Sequence, residues 1–138
     1  MGSRAVILLD THVLLWLDQN SARLGDHTRR HTEAALEESA VAVSAITFWE
    51  VAMLAAKGRI STSLDLARWR EDLLHAGLLE FPIDGATGIQ ATQLQGLQGD
   101  PADRIILATA VRKGAVLLTA DERLLSWSGT LERFDARR

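Results

Sequence analysis

The chain has 138 residues, of which 47% are hydrophobic and 24% charged, the size and composition of one globular domain with its own core. Its net charge of −3 excludes a generally basic nucleic-acid-binding surface, so any such site is local. The lack of Cys excludes disulfides, zinc–thiolate sites and thiol nucleophiles, and fits a reducing cytoplasm. No apolar run reaches the roughly 18 residues that span a bilayer, so we expect no membrane contact.

Strand and helix signals alternate along the chain. We take residues 4–138 as one domain and residues 1–3 as a cloning remnant. This alternation predicts an α/β fold, a three-layer α/β/α sandwich with a mainly parallel central sheet of four to five strands. Strands are predicted at 4–9, 40–44, 79–83 and 115–118, with a weak edge strand at 131–134. Helices are predicted at 13–17, 21–39, 47–57, 64–75, 87–97 and 100–113, and shortly after 122.

Residues 100–122 are the best-marked unit of the sequence. Asp100 suits an N-cap, and Pro101 suits the first helical position, where a missing N–H costs nothing. Asp103 then falls in the first turn of the helix, and Asp121 falls just beyond the strand that follows. Ligands of open α/β sheets bind beyond the carboxyl ends of the strands, so both carboxylates are candidates for a site.

Two further acids interrupt apolar segments. Within residues 5–17 the only charged residue is Asp10, and within residues 41–56 the only one is Glu50. Isolated carboxylates in such surroundings are costly unless something compensates their charge. With Asp103 and Asp121 they would meet at one edge of a parallel sheet, where a hard divalent cation is the natural counter-charge.

Each acid also has a plainer interpretation. Three of the four suit helix caps or the positive end of a helix dipole, and Glu50 suits a capping box with Thr47. For Asp100 we favour capping over metal binding. We favour a shared site for the other four because independent caps do not need such apolar neighbours.

Several neighbouring residues are auxiliary candidates. Thr11 and Thr119 suit hydrogen bonds to the acids, and Arg104 suits either a phosphate contact or an ordinary surface position. His12 is better explained as a packed or capping side chain than as a phosphate contact. Three tryptophans lie on apolar helix faces and are interpreted as core or interface: Trp16, Trp49 and Trp69.

Four segments, in order and at matching separations, resemble the PIN-domain nucleases and, among them, the VapC-type toxins of toxin–antitoxin pairs. They read LLDTHVLLW at 8–16, SAITFWE at 44–50, DPADR at 100–104 and LTAD at 118–121. The resemblance implies that Asp10, Glu50 and Asp103 hold Mg²⁺, for which Mn²⁺ would substitute. It implies that Asp121 holds a second ion or orients water.

The resemblance also implies an activity and partners. The activity would be hydrolysis of tRNA or other structured RNA, leaving a 5′-phosphate and a 3′-hydroxyl. The partners would be a cognate antitoxin and a second copy of the chain, in a homodimer, a heterotetramer or a larger complex. The sequence departs from many relatives at Gln98, Gly99 and Ala102, where they carry a His-Arg pair and an aromatic residue, and at Leu54, where they carry Lys.

Other interpretations compete with this one. A receiver-type signalling domain also gathers acids around Mg²⁺, but it would have an acid at Leu9 and a Lys at Thr119. An aspartyl phosphatase would have Asp in place of His12. A non-catalytic binding domain and a stand-alone PIN nuclease of RNA processing are further alternatives.

Overall fold

The computed structural model describes residues 5–60 and 65–138, in which five strands and seven helices alternate. The strands are β1 Ile7–Leu9, β2 Val41–Ser44, β3 Leu79–Phe81, β4 Val116–Thr119 and β5 Arg133–Asp135. The helices are α1 Thr11–Asp18, α2 Asp26–Glu37, α3 Ala45–Ala56, α4 Leu66–His75, α5 Gly85–Gln93, α6 Pro101–Lys113 and α7 Glu122–Leu125. Within these residues no helix is long and apolar enough to cross a membrane.

All five strands belong to one sheet, in the order β3-β2-β1-β4-β5, and every neighbouring pair is parallel. In the register, Leu8 of β1 pairs with Ala42 of β2 on one side and with Leu117 of β4 on the other. Along the chain, strands are added outward from β1 through β2 to β3, and then β4 starts on the opposite side of β1. The carboxyl ends of β1 and β4 therefore form the topological switch point, where ligands of such sheets bind.

Alternate side chains of the strands enter two separate cores. Ile7 and Leu9 pack with apolar residues of α1, α2, α3 and α4 on one face of the sheet. Leu8 and Leu117 pack with α6 and α7 on the other face, and α5 packs against α6. The predicted three-layer α/β/α sandwich with a parallel sheet is thus confirmed.

Helix α6 has the ends that the sequence predicts. The Asp100 carboxylate accepts a hydrogen bond from the Ala102 N–H at 2.8 Å, and Pro101 occupies the first turn. Gly114 ends the helix in the left-handed region, with φ of 60°, a conformation that favours glycine. Asp103 lies in the first turn of this helix, so its carboxylate is positioned near the switch point.

Four boundaries in three of the predicted helices are wrong. The helix expected at 21–39 starts only at Asp26, because Gly25 is held by the Ala136 carbonyl and a Cβ there would overlap Arg138. The helix expected at 87–97 starts at Gly85, because the Asp84 side chain caps it, and ends at Gln93. The helix expected at 47–57 starts two residues earlier, at Ala45.

The strand boundaries move less. The third strand ends at Phe81, directly before Pro82, and the last one lies at 133–135 instead of 131–134. The predicted starts at residues 4 and 64, and the remnant at 1–3, lie outside the described residues.

A bidentate ion pair joins α4 to β3, and it gives a pH-dependent prediction. Arg70 donates to both Glu80 carboxylate oxygens at 2.8 Å, and these hydrogen bonds lower the pKa of Glu80 from 4.5. The pair therefore stabilises the fold above pH 4.5, and its contribution is lost as the pH falls through the lowered pKa. We expect Glu80→Gln to lower the melting temperature by a few degrees at pH 7 and to lose this effect once the pH lies well below the lowered pKa of Glu80, measured by thermal denaturation. Glu33→Gln on α2 is the control; a difference that persists at low pH would contradict the prediction.

Candidate functional site

The four acids proposed from the sequence come from four different elements and interact electrostatically. Asp10 directly follows β1, and Asp121 follows β4 after one residue. Glu50 lies on α3, which leaves the end of β2, and Asp103 lies in the first turn of α6. Burial raises the pKa of both Glu50 and Asp103, and like-charge repulsion from Asp10 adds to each increase. The cluster therefore lies at the carboxyl edge of the sheet, around the switch point.

Asp10 is only 3% exposed and is held from two sides. Its Oδ1 accepts the N–H of Thr11 at 2.9 Å, which makes it the N-cap of α1, and its Oδ2 accepts the Thr119 hydroxyl at 2.6 Å. The Thr119 hydroxyl oxygen in turn accepts the N–H of Asp121 at 3.0 Å. The ends of β1 and β4 are thus joined through side chains, and the capping role of Asp10 coexists with its place in the cluster.

Glu50 is tied to the same network through Thr11. The Thr11 hydroxyl donates to Glu50 Oε1 and lies 3.0 Å from the buried hydroxyl of Thr47. Burial raises the pKa of Glu50 to about 7 against the hydrogen bond from Thr11, and repulsion from Asp10 and Asp103 adds to the increase.

The capping-box interpretation of Glu50 and Thr47 is wrong. The N-cap of α3 is Ser44, whose hydroxyl oxygen accepts the N–H of Ile46 at 3.2 Å. Thr47 lies one turn further on, and its hydroxyl faces Thr11 instead of a helix end.

Arg123 bridges the other two acids. Its Nη2 donates to Asp103 Oδ2 at 2.8 Å and to Asp121 Oδ2 at 2.9 Å. These hydrogen bonds lower the pKa of Asp121, whose side chain also caps α7 through the N–H of Arg123. Burial and repulsion from Asp10, Asp100 and Asp121 nevertheless raise the pKa of Asp103 to about 6. One guanidinium therefore compensates the cluster only in part.

The auxiliary candidates have other contacts. Asp100 caps α6, as favoured from the sequence. Arg104 contacts backbone instead of lying free at the surface, since its guanidinium donates to the carbonyls of Ala91 and Leu94 at 2.9 and 3.3 Å and to that of Leu97. Arg104 thus stabilises the segment after α5 through hydrogen bonds to its backbone. The sequence interpretations, a phosphate contact or an ordinary surface residue, did not include this role.

His12 and the three tryptophans show different burial. His12 Nε2 accepts the N–H of Ala120 at 3.0 Å, so the side chain caps the end of β4, in agreement with the capping interpretation. Trp69 is in the core, and Trp16 is partly buried against the ring of His12. Trp49 is 54% exposed, so it is not a core residue.

Sequence reasoning missed Arg123 and the role of Thr47. The only sequence signal for Arg123 is its position two residues after Asp121, and this spacing does not predict its second contact, with Asp103. Thr47 was seen only as a cap, because its partner Thr11 lies 36 residues earlier in the chain.

The cluster has the donor atoms of a cation site, and its carboxylates already have partners within the chain. In residues 5–60 and 65–138, no three acidic, His or Cys side chains already surround a point where a metal ion could be held. The carboxylates are instead directed to Thr11, Thr119 and Arg123. The donors are all hard oxygen atoms, and burial together with repulsion from neighbouring carboxylates raises the pKa of Glu50 and Asp103. Both properties fit a hard divalent cation.

The raised pKa of Glu50 predicts that the cation-free protein is less stable at high pH. The folded-state pKa of about 7 exceeds the ordinary value of 4.5, so the fold is favoured below pH 4.5 and loses this advantage as the pH rises through 7. We expect Glu50→Gln to raise the melting temperature by about 4 °C at pH 8 in EDTA, as for about 1 kcal/mol in a domain of this size. Glu37→Gln, at an exposed position on α2, is the control. A lower melting temperature for Glu50→Gln at pH 8 would count against the prediction.

The fold and the sequence together define a class of protein. The PIN domain profile matches residues 7–127, and the chain belongs to the PIN domain family. This membership confirms the resemblance described above and excludes the receiver-type alternative.

Individual relatives are similar over nearly the whole chain. The chain is 36% identical over 122 residues to Ribonuclease VapC22 of Mycobacterium tuberculosis (strain ATCC 25618 / H37Rv), covering 87% of this chain and 90% of that protein. The fold is similar to the DNA-bound VapBC of Salmonella typhimurium, with a TM-score of 0.69 and 19% identity over 96% of this chain and 98% of that one. It is also similar to a toxin–antitoxin complex from Klebsiella pneumoniae, with a TM-score of 0.64 and 23% identity over 94% and 97%.

Proposed function

We propose that this chain is a divalent-metal-dependent endoribonuclease and the toxin of a toxin–antitoxin pair, acting as one domain over residues 4–138. The observation that carries the proposal is the convergence of carboxylates from four elements at the switch point of a PIN domain. The name of the relative Ribonuclease VapC22 supports the RNA substrate, and the similar fold in the toxin–antitoxin complex from Klebsiella pneumoniae supports the toxin role. Structured RNA, and tRNA in particular, is the substrate class that we infer.

Asp10, Glu50 and Asp103 would hold the main cation, Mg²⁺ or Mn²⁺, and Asp121 would hold a second cation or orient water. The fit rests on their oxygen donors and on burial and mutual repulsion, which raise the pKa of Glu50 and Asp103. A bound cation supplies an acidified water molecule and positive charge against the phosphate oxygens.

The chain's own residues prepare this site. Thr119 and the backbone N–H of Thr11 each engage one Asp10 oxygen, so that the carboxylate is already oriented before RNA arrives. The Thr11 hydroxyl orients Glu50 in the same way. An uncompensated acidic cluster repels phosphate, so RNA binding at the site, and not only cleavage, should depend on the cation.

The test is cleavage of labelled structured RNA with Mg²⁺ or Mn²⁺ and after removal of the cation by EDTA. We expect cleavage only with cation, and products with a 5′-phosphate and a 3′-hydroxyl. Cleavage that continues in EDTA would overturn the metal-dependent mechanism. For the toxin role, expression in bacteria should stop growth, and co-expression of a small protein encoded beside this one should restore it. RNA cleavage without any effect on growth would favour a stand-alone RNA-processing nuclease.

We infer that the antitoxin binds over α3, where Trp49 is exposed beside the acid Glu50. A large exposed aromatic side chain next to a site is typical of interface anchors. An antitoxin segment laid there would cover the acidic cluster and exclude RNA. We also propose that the chain forms a homodimer, and with antitoxin a heterotetramer or a larger complex.

For this surface we expect Trp49→Ala to weaken antitoxin binding by about 30-fold, as for a hot spot of about 2 kcal/mol. Isothermal titration calorimetry with the purified antitoxin measures the effect. Phe134→Ala is the matched control, because Phe134 is equally exposed at 55% but lies on the edge strand β5. Equal affinities of the two variants would place the antitoxin elsewhere.

A further inference from the structure

We propose that Arg123 is a built-in counter-cation: its guanidinium occupies Asp103 and Asp121 in the cation-free protein and leaves them when a divalent cation binds. The inference rests on the proposed function, because it concerns the same carboxylates. It adds that a side chain of the protein itself, Arg123, competes with the cation for Asp103 and Asp121.

The first observation is that Arg123 uses the oxygens a cation would need. Its Nη2 contacts Oδ2 of both carboxylates, at 2.8 Å on Asp103 and 2.9 Å on Asp121. Both oxygens of Asp121 are engaged, since Oδ1 accepts from the Arg123 backbone N–H at 2.9 Å and lies 3.3 Å from its Nε. A cation held by Asp121 or by Oδ2 of Asp103 must therefore compete with this guanidinium.

The second observation is that the backbone leaves room for the guanidinium. Gly99 has φ of 117°, and a Cβ built on it would overlap Nη1 of Arg123. The same Nη1 lies 3.4 Å from the carbonyl oxygen of Gln98. Gly99 and Gln98 thus form a seat, between the end of α5 and the start of α6, that holds the guanidinium against the two carboxylates.

The third observation is that the guanidinium can leave this seat. The Arg123 side chain is 53% exposed, so its release into water uncovers no core. Exposed ion pairs contribute little each, so the two contacts of Arg123 with Asp103 and Asp121 are weak enough to be exchanged for a divalent cation. Arg123 therefore contacts both carboxylates through bonds that a divalent cation can replace.

The test is the dissociation constant of Mn²⁺, measured at pH 8 by electron paramagnetic resonance of the free ion. Arg123→Gln removes the charge and keeps a polar side chain, and Arg123→Ala is the second variant should the first one misfold. We expect either variant to bind Mn²⁺ about tenfold more tightly than wild type, because two exposed ion pairs no longer compete. In EDTA at the same pH we expect the variants to melt at a lower temperature than wild type.

Arg137→Ala is the matched control, because Arg137 also bridges two carboxylates, those of Glu122 and Asp135. It removes the same charge without touching the cluster, and we expect its Mn²⁺ affinity to stay within about twofold of wild type. Unchanged or weaker Mn²⁺ binding by the Arg123 variants would overturn the inference and leave the proposed function standing. Mn²⁺ binding by neither wild type nor variants would overturn both. Tighter binding without any RNA cleavage would support the inference and count against the nuclease.

Discussion

Asp10→Asn should reduce RNA cleavage by roughly a thousandfold, about 4 kcal/mol of transition-state stabilisation, because it removes a buried negative charge from the cation site. The substitution separates the two roles of this residue. Asn caps helices about as well as Asp, so its carbonyl oxygen can still accept the N–H of Thr11. In the wild-type protein the Thr119 hydroxyl donates to Asp10. In the variant the Asn amide can donate to that hydroxyl instead. The measurement is the initial cleavage rate of structured RNA with saturating Mg²⁺.

Asp84→Asn is the matched control for this experiment. Asp84 also follows a strand and also caps the next helix, through the N–H of Thr87 at 2.8 Å, but it is not part of the acidic cluster. We expect the control to keep wild-type activity and both variants to keep wild-type thermal stability within a few degrees. Cleavage by Asp10→Asn at the wild-type rate would remove the acidic cluster from the mechanism.

Leu107→Ala should have the largest effect on stability. Leu107 is 0% exposed on α6, in the core between that helix and the sheet. Removing its side chain loses apolar burial and leaves a cavity, which costs roughly 2–5 kcal/mol. In a domain of this size the melting temperature should fall by about 10 °C.

Chemical denaturation monitored by circular dichroism measures this loss. Ile89→Ala is the control, because Ile89 is exposed on the neighbouring helix α5 and should change the free energy of unfolding by less than about 0.5 kcal/mol. A loss below about 1 kcal/mol for Leu107→Ala would mean that the helix is not packed as described. The test bears on function too, because α6 carries Asp103 to the cluster.

The sequence predicted the elements whose signals are local. The apolar runs of β1, β2 and β4 each fill a buried strand, and α6 carries its cap, its proline and its terminal glycine within its own segment. Boundaries failed where a distant residue decides them. The start of α2 depends on the segment near Arg138, and the chain after α5 is braced by Arg104.

The same distinction holds for the candidate site. Asp10 and Glu50 stood out because a charge inside an apolar segment is visible in the sequence itself. Arg123 did not stand out in the sequence, because its contact with Asp103 forms only when the segment after β4 lies beside the start of α6. The prediction for Thr47 failed for the opposite reason. A local sequence pattern indicated a helix cap, whereas the hydroxyl contacts Thr11.

The bond between Asp10 and Thr119 joins residues 109 positions apart, and this has a consequence for synthesis on the ribosome. A growing chain that has exposed β1 and α1 still lacks the strand that orients Asp10. Contacts of such long range form late, after the intervening chain has folded. The candidate active site should therefore stay unassembled until β4 has left the ribosome, so that translation itself delays the appearance of activity in the cell producing the protein.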